Sequence, residues 1–263
     1  SQHVGLAHGL YQAHAGFRAD MDRAADRLSE LLGLDIRALL FASGEARDGA
    51  RARLADTALA QPVLFAVEVA LGRLWLALGI EPDGMIGHSV GELAAACLCG
   101  VFDFEAGLEL VAARGALVQA QPRGAMLAAR LSPEQARAHL RGTVGIAAVN
   151  APDAVTFSGS HGDIEALRRA LAARDVPARL LETSHAFHSP LIEGAVRPFV
   201  ERVGRIALRP PQRPFVSNVT GTWITEQEAT DPGYWGRQLR EPVRFADGLQ
   251  TLATRAGERE SLT

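Results

Sequence analysis

The sequence contains no lysine; every one of its 27 Lys+Arg residues is an arginine. A lysine nucleophile or Schiff base is therefore excluded. Cysteine is almost as scarce. Cys97 and Cys99 are separated by one residue, too close for an ordinary disulfide, and read as small hydrophobes on or just after a helix. No metal site is expected from them, and a reducing, cytoplasmic setting is expected instead. The arginines are dispersed without a basic stripe and the net charge is −3, so nucleic acid is not an expected partner. No run reaches the roughly 18 apolar residues of a membrane span. No secretory leader pattern is visible at Ser1. What remains is ordinary for a globular enzyme, with 48% hydrophobic and 22% charged residues over 263 positions. That length can bury a large core, as one big domain or two small ones.

Against this background one stretch stands out: Gly87-His88-Ser89-Val90-Gly91-Glu92. A short apolar run, 84–86, precedes it, and an alanine-rich helical run, 93–98, follows. Strand, Gly-x-Ser-x-Gly and helix in that order form a nucleophile elbow, an α/β-hydrolase-like feature. The glycines permit a sharp turn where a Cβ would clash. The serine hydroxyl is then presented over the start of a helix, whose unpaired N–H groups can receive an oxyanion.

The rest of the chain reads as two parts. Apolar spacing predicts a helix from Phe17 to Leu31 and a short helical turn over 35–40. A polar loop over 43–48 comes next, then a long buried helix from Pro62, closed by Gly79. Residues 103–119 form a further helix carrying Arg114. From Gly124 the style changes. A strand over 125–129 precedes a capping box at Ser132-Pro133-Glu134-Gln135. Strands at 144–149 and 154–159, a helix at 163–174 and a strand at 178–182 complete the order β-α-β-β-α-β, which is ferredoxin-like. The expected architecture is α/β: a large α/β-hydrolase-like subdomain with a parallel sheet, residues 1–123 and 187–263, and an inserted ferredoxin-like subdomain, 124–186. In the second half of the large part, helices are expected through Ile192–Val203, over 231–239 and over 245–254, with a strand running into a turn over 215–221. Residues 255–263 are polar and patternless.

A serine needs a base within hydrogen-bond reach. His3, His8, His14, His139 and His161 lie in polar or helical-surface contexts. His88 precedes the serine, so its ring points the other way. His185 and His188 sit in a loop at the junction of the two parts, where active sites collect, and periodicity does not choose between them. Arg114 by itself reads as a surface arginine near a helix C-terminus. Buried, it could grip a carboxylate through two parallel N–H···O bonds.

The elbow together with Leu93-Ala94-Ala95-Ala96 resembles the active-site motif of the malonyl-CoA:acyl carrier protein transacylase family. It is most like the acyltransferase domains of modular type I polyketide synthases. The resemblance extends along nearly the whole chain. It includes Gln61-Pro62, Arg114-Gly115, Gly124-Ala125-Met126, Ala147-Ala148-Val149-Asn150, Val216 to Gly221, Tyr234-Trp235 and Arg240 to Phe245. It implies Ser89 as the acylated nucleophile and His188, followed by Ser189-Pro190-Leu191, as its base. It further implies Arg114 as the clamp for a malonyl carboxylate, the Val90 N–H in the oxyanion hole, and Gln61, His88 and His185 in substrate binding. A backbone carbonyl near Ser217-Asn218 is implied to orient the base, with Asn218 the base-orienting residue and no acidic third member. His185-Ala186-Phe187-His188 resembles the malonyl-type specificity signature, in which Phe187 fills the space an α-methyl group needs. The family opens with an apolar strand and Gly-Gln-Gly, and Ser1-Gln2 resembles the residues just after it. It also has a strand with a Gly-Pro turn where Glu258 to Ser261 stand, so both segments are expected to be missing from this sequence.

The implied reaction is a ping-pong transfer of malonyl from malonyl-CoA to Ser89, then to the phosphopantetheine thiol of an acyl carrier protein, with no permanently bound cofactor. A neighbouring ketosynthase and linker in a multidomain synthase are implied as partners. Two rivals are a serine hydrolase such as a thioesterase, which would need an acidic partner for its histidine, and a catalytically inactive docking module.

Overall fold

A computed structural model describes residues 2–260 and their side chains as far as Arg255. The first helices, α1 (His8–Ala13), α2 (Ala15–Leu32), α3 (Ile36–Leu40) and α4 (Ala46–Leu54), lead into the long helix α5 (Thr57–Ala77). After the elbow come α6 (Val90–Leu98) and α7 (Phe104–Gln119). α5 is the axis of the larger part and packs against α2, α6 and α7. Val63, Phe65, Ala66, Val69 and Ala70 are fully buried along it. Each large apolar side chain so buried contributes roughly 1.5–3 kcal/mol.

Three expectations about this stretch are corrected. α5 does pass as a membrane span by length and composition, yet more than half of that window is buried in the protein. It is a core helix, apolar on several faces because neighbours cover several faces. Its start lies at Thr57, before Pro62, because α7 caps it from outside: the Thr57 N–H donates to Gln119 Oε1 at 3.2 Å. α4 also extends into the expected polar loop. Only Ala50 and Leu54 of that helix are buried, too few apolar positions to mark a period.

The elbow run and the 214–216 segment pair in parallel. Met85 N–H donates to Pro214 O and Val216 N–H to Met85 O, at 3.1 and 2.9 Å. Among the described residues this Met85–Phe215 bridge is the parallel pairing of the large part. The extended run expected to enter a turn within 215–221 does so directly after Val216. Ser217 Oγ accepts the N–H groups of Val219 and Thr220, both at 3.1 Å, and curls the chain into a turn.

The smaller part is a four-stranded antiparallel sheet of β1 (Ala125–Ala129), β2 (Gly145–Ala151), β3 (Ala154–Gly159) and β4 (Ala178–Leu180), in the order β2-β3-β1-β4. Helices α8 (Pro133–Arg137) and α9 (His161–Ala172) cover it. The capping box at Ser132 and Gln135 is formed. Leu127, Phe157, Ile164 and Leu171 make its separate core. The edge strand β2 is tied to the large part: Val149 N–H donates to Val243 O and Val243 N–H to Ala147 O, at 2.8 and 2.9 Å.

The chain then returns through a 3₁₀ turn (Pro190–Ile192), α10 (Glu193–Val203), α11 (Glu226–Thr230), α12 (Pro232–Arg240) and α13 (Phe245–Glu260). α13 runs six residues past its expected end and takes in most of the stretch read as patternless. Ser1 and residues 261–263, including the Ser261 compared above, lie outside the described residues.

Candidate active site

Ser89 sits at the N-cap of α6 with φ 55° and ψ −110°, a strained conformation for a residue with a Cβ. The turn is possible because of Gly87: a Cβ there would lie 2.0 Å from the Gly91 carbonyl group and 2.3 Å from Glu92 N. Gly91 is different, since its Cβ would meet only Glu68, at 3.6 Å. Gly87→Ala is therefore expected to leave no folded protein. Gly91→Ala in the first turn of α6 is expected to stabilise by about 0.5–1 kcal/mol. Thermal unfolding of the two variants tests both statements.

Asn218 holds the elbow closed. Its Oδ1 accepts the Ser89 N–H at 2.8 Å and its Nδ2 donates to Gly87 O at 2.7 Å. This corrects the expectation that Asn218 orients the base. The Nδ1 of His188 lies 2.9 Å from Glu241 O instead. The turn at Ser217 directs Asn218 toward the serine backbone, and the end of α12 delivers the Glu241 carbonyl. Because a carbonyl only accepts, Nδ1 carries the proton and Nε2 is left as an acceptor. His188 Nε2 is 2.8 Å from Ser89 Oγ. His188 also has a left-handed backbone, φ 54°. Burial first, then the nearby Arg114 charge, holds its pKa down to about 3, so the imidazole is neutral at pH 7.

Arg114, only 2% exposed, is not on the surface as its sequence context first suggests. Its Nη2 donates to Ser89 Oγ at 3.2 Å and its Nη1 donates to Gln61 Oε1. Gln61 is in turn fixed by donating to Thr57 Oγ1 at 2.7 Å. Burial pushes the guanidinium down to about 10, opposed by Glu92, which leaves it charged at pH 7. Its Nε is buried without a partner among the described residues. Ser89, Val90, Gln61, Arg114 and Phe187 line a cavity of about 1010 Å³, whose wall also carries the exposed arginines Arg47, Arg51 and Arg179. Val90 opens α6, so its N–H belongs to the first turn, where no intrahelical carbonyl can accept it.

Two expected substrate contacts lie elsewhere. His88 turns away from the cavity, with Nε2 3.0 Å from Asn150 Oδ1 and its ring 5.2 Å from that of Phe245. The reason is the alternation of side chains either side of the elbow tip. His185 is buried at the seam of the two parts, its backbone bridged to Arg123, with Nδ1 2.8 Å from Ser184 Oγ and Nε2 unpartnered. Sequence reasoning missed the Glu241 carbonyl and Gln238, whose Nε2 donates to Ser89 O at 2.8 Å. It also assigned nothing to Glu92, which is fully buried. Tyr234 Oη donates to Glu92 Oε1, and Gln238 Nε2 and Asn218 N–H donate to its Oε2 at 3.1 and 3.2 Å. Burial still raises its carboxyl to about 7. Cys97 and Cys99 are buried, and burial pushes both thiols up to about 12. Among the described residues no cluster of three or more His, Cys, Asp and Glu could hold a metal.

A strand–turn–helix elbow whose serine faces a neutral, buried histidine stands beside an inserted ferredoxin-like subdomain. The chain belongs to the acyl transferase domain family, whose model matches residues 1–260. It is 37% identical over 252 residues to one component of the phenolphthiocerol/phthiocerol polyketide synthase of Mycobacterium tuberculosis, covering 96% of this chain but 16% of that protein. Among solved structures, it resembles the acyltransferase domain from the second module of the salinomycin polyketide synthase. There the TM-score is 0.87 at 41% identity, over 97% of this chain and 59% of that one. It also resembles malonyl CoA-acyl carrier protein transacylase from Burkholderia pseudomallei, with a TM-score of 0.86 at 30% identity over 99% of this chain and 87% of that one.

Proposed function

We propose that this domain transfers a malonyl unit from malonyl-CoA, through an ester on Ser89, to the phosphopantetheine thiol of an acyl carrier protein in polyketide biosynthesis. The observation that carries the reading is the position of Ser89 Oγ, between His188 Nε2 at 2.8 Å and Arg114 Nη2 at 3.2 Å. The hydroxyl donates to the neutral imidazole and accepts from the guanidinium. His188 takes the proton as Oγ attacks the thioester carbon, and returns it to the sulfur of coenzyme A as the C–S bond breaks. The carrier thiol then attacks the malonyl ester, with His188 again moving the proton. The Val90 N–H faces the developing oxyanion, where one such donor is worth about 2.7–4 kcal/mol.

Arg114 selects the acyl group. Its buried positive charge, with Nε unpartnered, favours a chain ending in a carboxylate, and Gln61 holds the guanidinium in line. An uncharged acyl chain would leave that charge uncompensated. Phe187 in the cavity wall occupies the room of an α-methyl group, a discrimination of roughly 10–200-fold in a tight pocket. Arg47, Arg51 and Arg179 suit the phosphates of coenzyme A. A neighbouring ketosynthase and linker belong to the same reading, and no permanently bound cofactor is needed.

Mass spectrometry after mixing with malonyl-CoA tests the proposal. A persistent malonyl adduct on Ser89, discharged by an acyl carrier protein, is expected. Free malonate without an adduct would identify a hydrolase instead, and no labelling by any acyl-CoA would identify an inactive module. With methylmalonyl-CoA in competition, malonyl is expected to dominate, and Phe187→Ala is expected to narrow the preference.

A further inference from the structure

Helix α12 presents the side chains of Tyr234 and Gln238 toward the site at i and i+4, one face of a helix, and its C-cap residue Glu241 turns a backbone carbonyl to the same site. Each holds a different part of the machinery. The Tyr234 hydroxyl donates to Glu92. The Glu241 carbonyl at the helix end accepts His188 Nδ1 at 2.9 Å. Between them, Gln238 Nε2 donates to Ser89 O at 2.8 Å and to Glu92 Oε2 at 3.1 Å. Gln238 is 1% exposed. Its Oε1 is buried with no partner among the described residues, so this side chain is retained at the cost of an unsatisfied acceptor.

We infer that Gln238 is a positioning residue for acyl transfer: by gripping the Ser89 carbonyl from α12, it holds the nucleophile in its strained backbone conformation at hydrogen-bond distance from His188. The physical need is specific. At φ 55° and ψ −110° the Ser89 peptide relaxes unless both of its ends are held. Asn218 holds the N–H, and the Glu92 N–H reaches the carbonyl only from within the same turn, at 3.0 Å. Gln238 supplies the hold from outside the elbow. It comes from the helix whose end fixes the base, so serine and histidine are referenced to one rigid element. Gln238 does not line the cavity, so its loss should change the reactivity of Ser89 and not the binding of the acyl donor.

The inference rests on Ser89 being the nucleophile, so the test uses a fluorophosphonate, which labels an activated serine without needing the carboxylate clamp or a carrier. Gln238→Leu is expected to slow labelling of Ser89 by about ten- to a hundredfold per folded molecule. With malonyl-CoA, kcat should fall while KM stays unchanged. Gln238→Met, of similar size and also without a donor, is expected to slow labelling by the same factor and carries the test if Gln238→Leu gives no folded chain. Wild-type labelling rates in either folded variant would overturn the inference while leaving Ser89 as the nucleophile. A wild-type chain that fails to label would overturn both.

Discussion

Replacing His188 with alanine is expected to slow acylation of Ser89 by up to about 10⁴-fold, the upper range for a positioned general base. Among the described residues the Ser89 hydroxyl has no other base within reach: its remaining side-chain contact is Arg114, which only donates. Stopped-flow release of coenzyme A from malonyl-CoA, compared with the wild-type domain, measures the loss. An alanine variant within tenfold of wild type would remove His188 from the mechanism. The same histidine sets the pH dependence. Its folded pKa is held at about 3, so the base stays competent as the pH is lowered from 8 to 5, and the acylation rate should not show the fall near pH 6.5 of an ordinary histidine. Stability shows the reverse side of that shift. The folded pKa is depressed, so the unfolded chain binds more protons below about pH 6.5, the ordinary histidine value. This contribution to stability is complete above that pH and is lost as the pH falls toward 3.

Arg114→Ala is expected to cost malonyl loading about 30- to several-thousandfold, the 2–5 kcal/mol typical of truncating one partner of a buried hydrogen-bonded charge pair. Acetyl-CoA should lose nothing comparable, because it brings no carboxylate. The ratio of malonyl to acetyl adduct on Ser89, read by mass spectrometry, therefore collapses in the variant. Arg114→Lys should not restore it. A lysine keeps the charge but not the planar fork, and it cannot contact Gln61 and a carboxylate in the same geometry. A ratio unchanged by Arg114→Ala would show that the guanidinium only supports the elbow.

Some of this was legible in order along the chain. Ser89 announces itself because the elbow is local: two glycines, a serine and the start of a helix lie within five residues. The capping box at Ser132 and the strands at 125–129 and 154–159 were equally readable, since caps and short apolar runs act over a few residues. Arg114 was not readable from its own helix. Its neighbours look like those of a surface residue, and only α5, bringing Gln61 from 53 positions away, makes it buried and aimed. Asn218 was read in the right neighbourhood and given the wrong partner. Whether it meets the serine amide or the histidine depends on a turn made by Ser217 and on where α12 ends. The start of α5 was misplaced for a similar reason, because its cap comes from Gln119 at the end of α7.

Residue order alone carries the local chemistry: a serine at a sharp turn, two candidate histidines in one loop, no lysine in their place, and the order of elements in the inserted subdomain. Packing set His188 and not His185 beside Ser89, buried Arg114, turned His88 toward Asn150, and brought the Glu241 carbonyl to His188 and Gln238 to the Ser89 carbonyl. The division follows from range. Turn, cap and alternation energies are set by neighbours a few residues apart. The Ser89–His188 and Gln238–Ser89 contacts join positions 99 and 149 apart, and they exist only once α5, α7 and α12 have packed against the elbow.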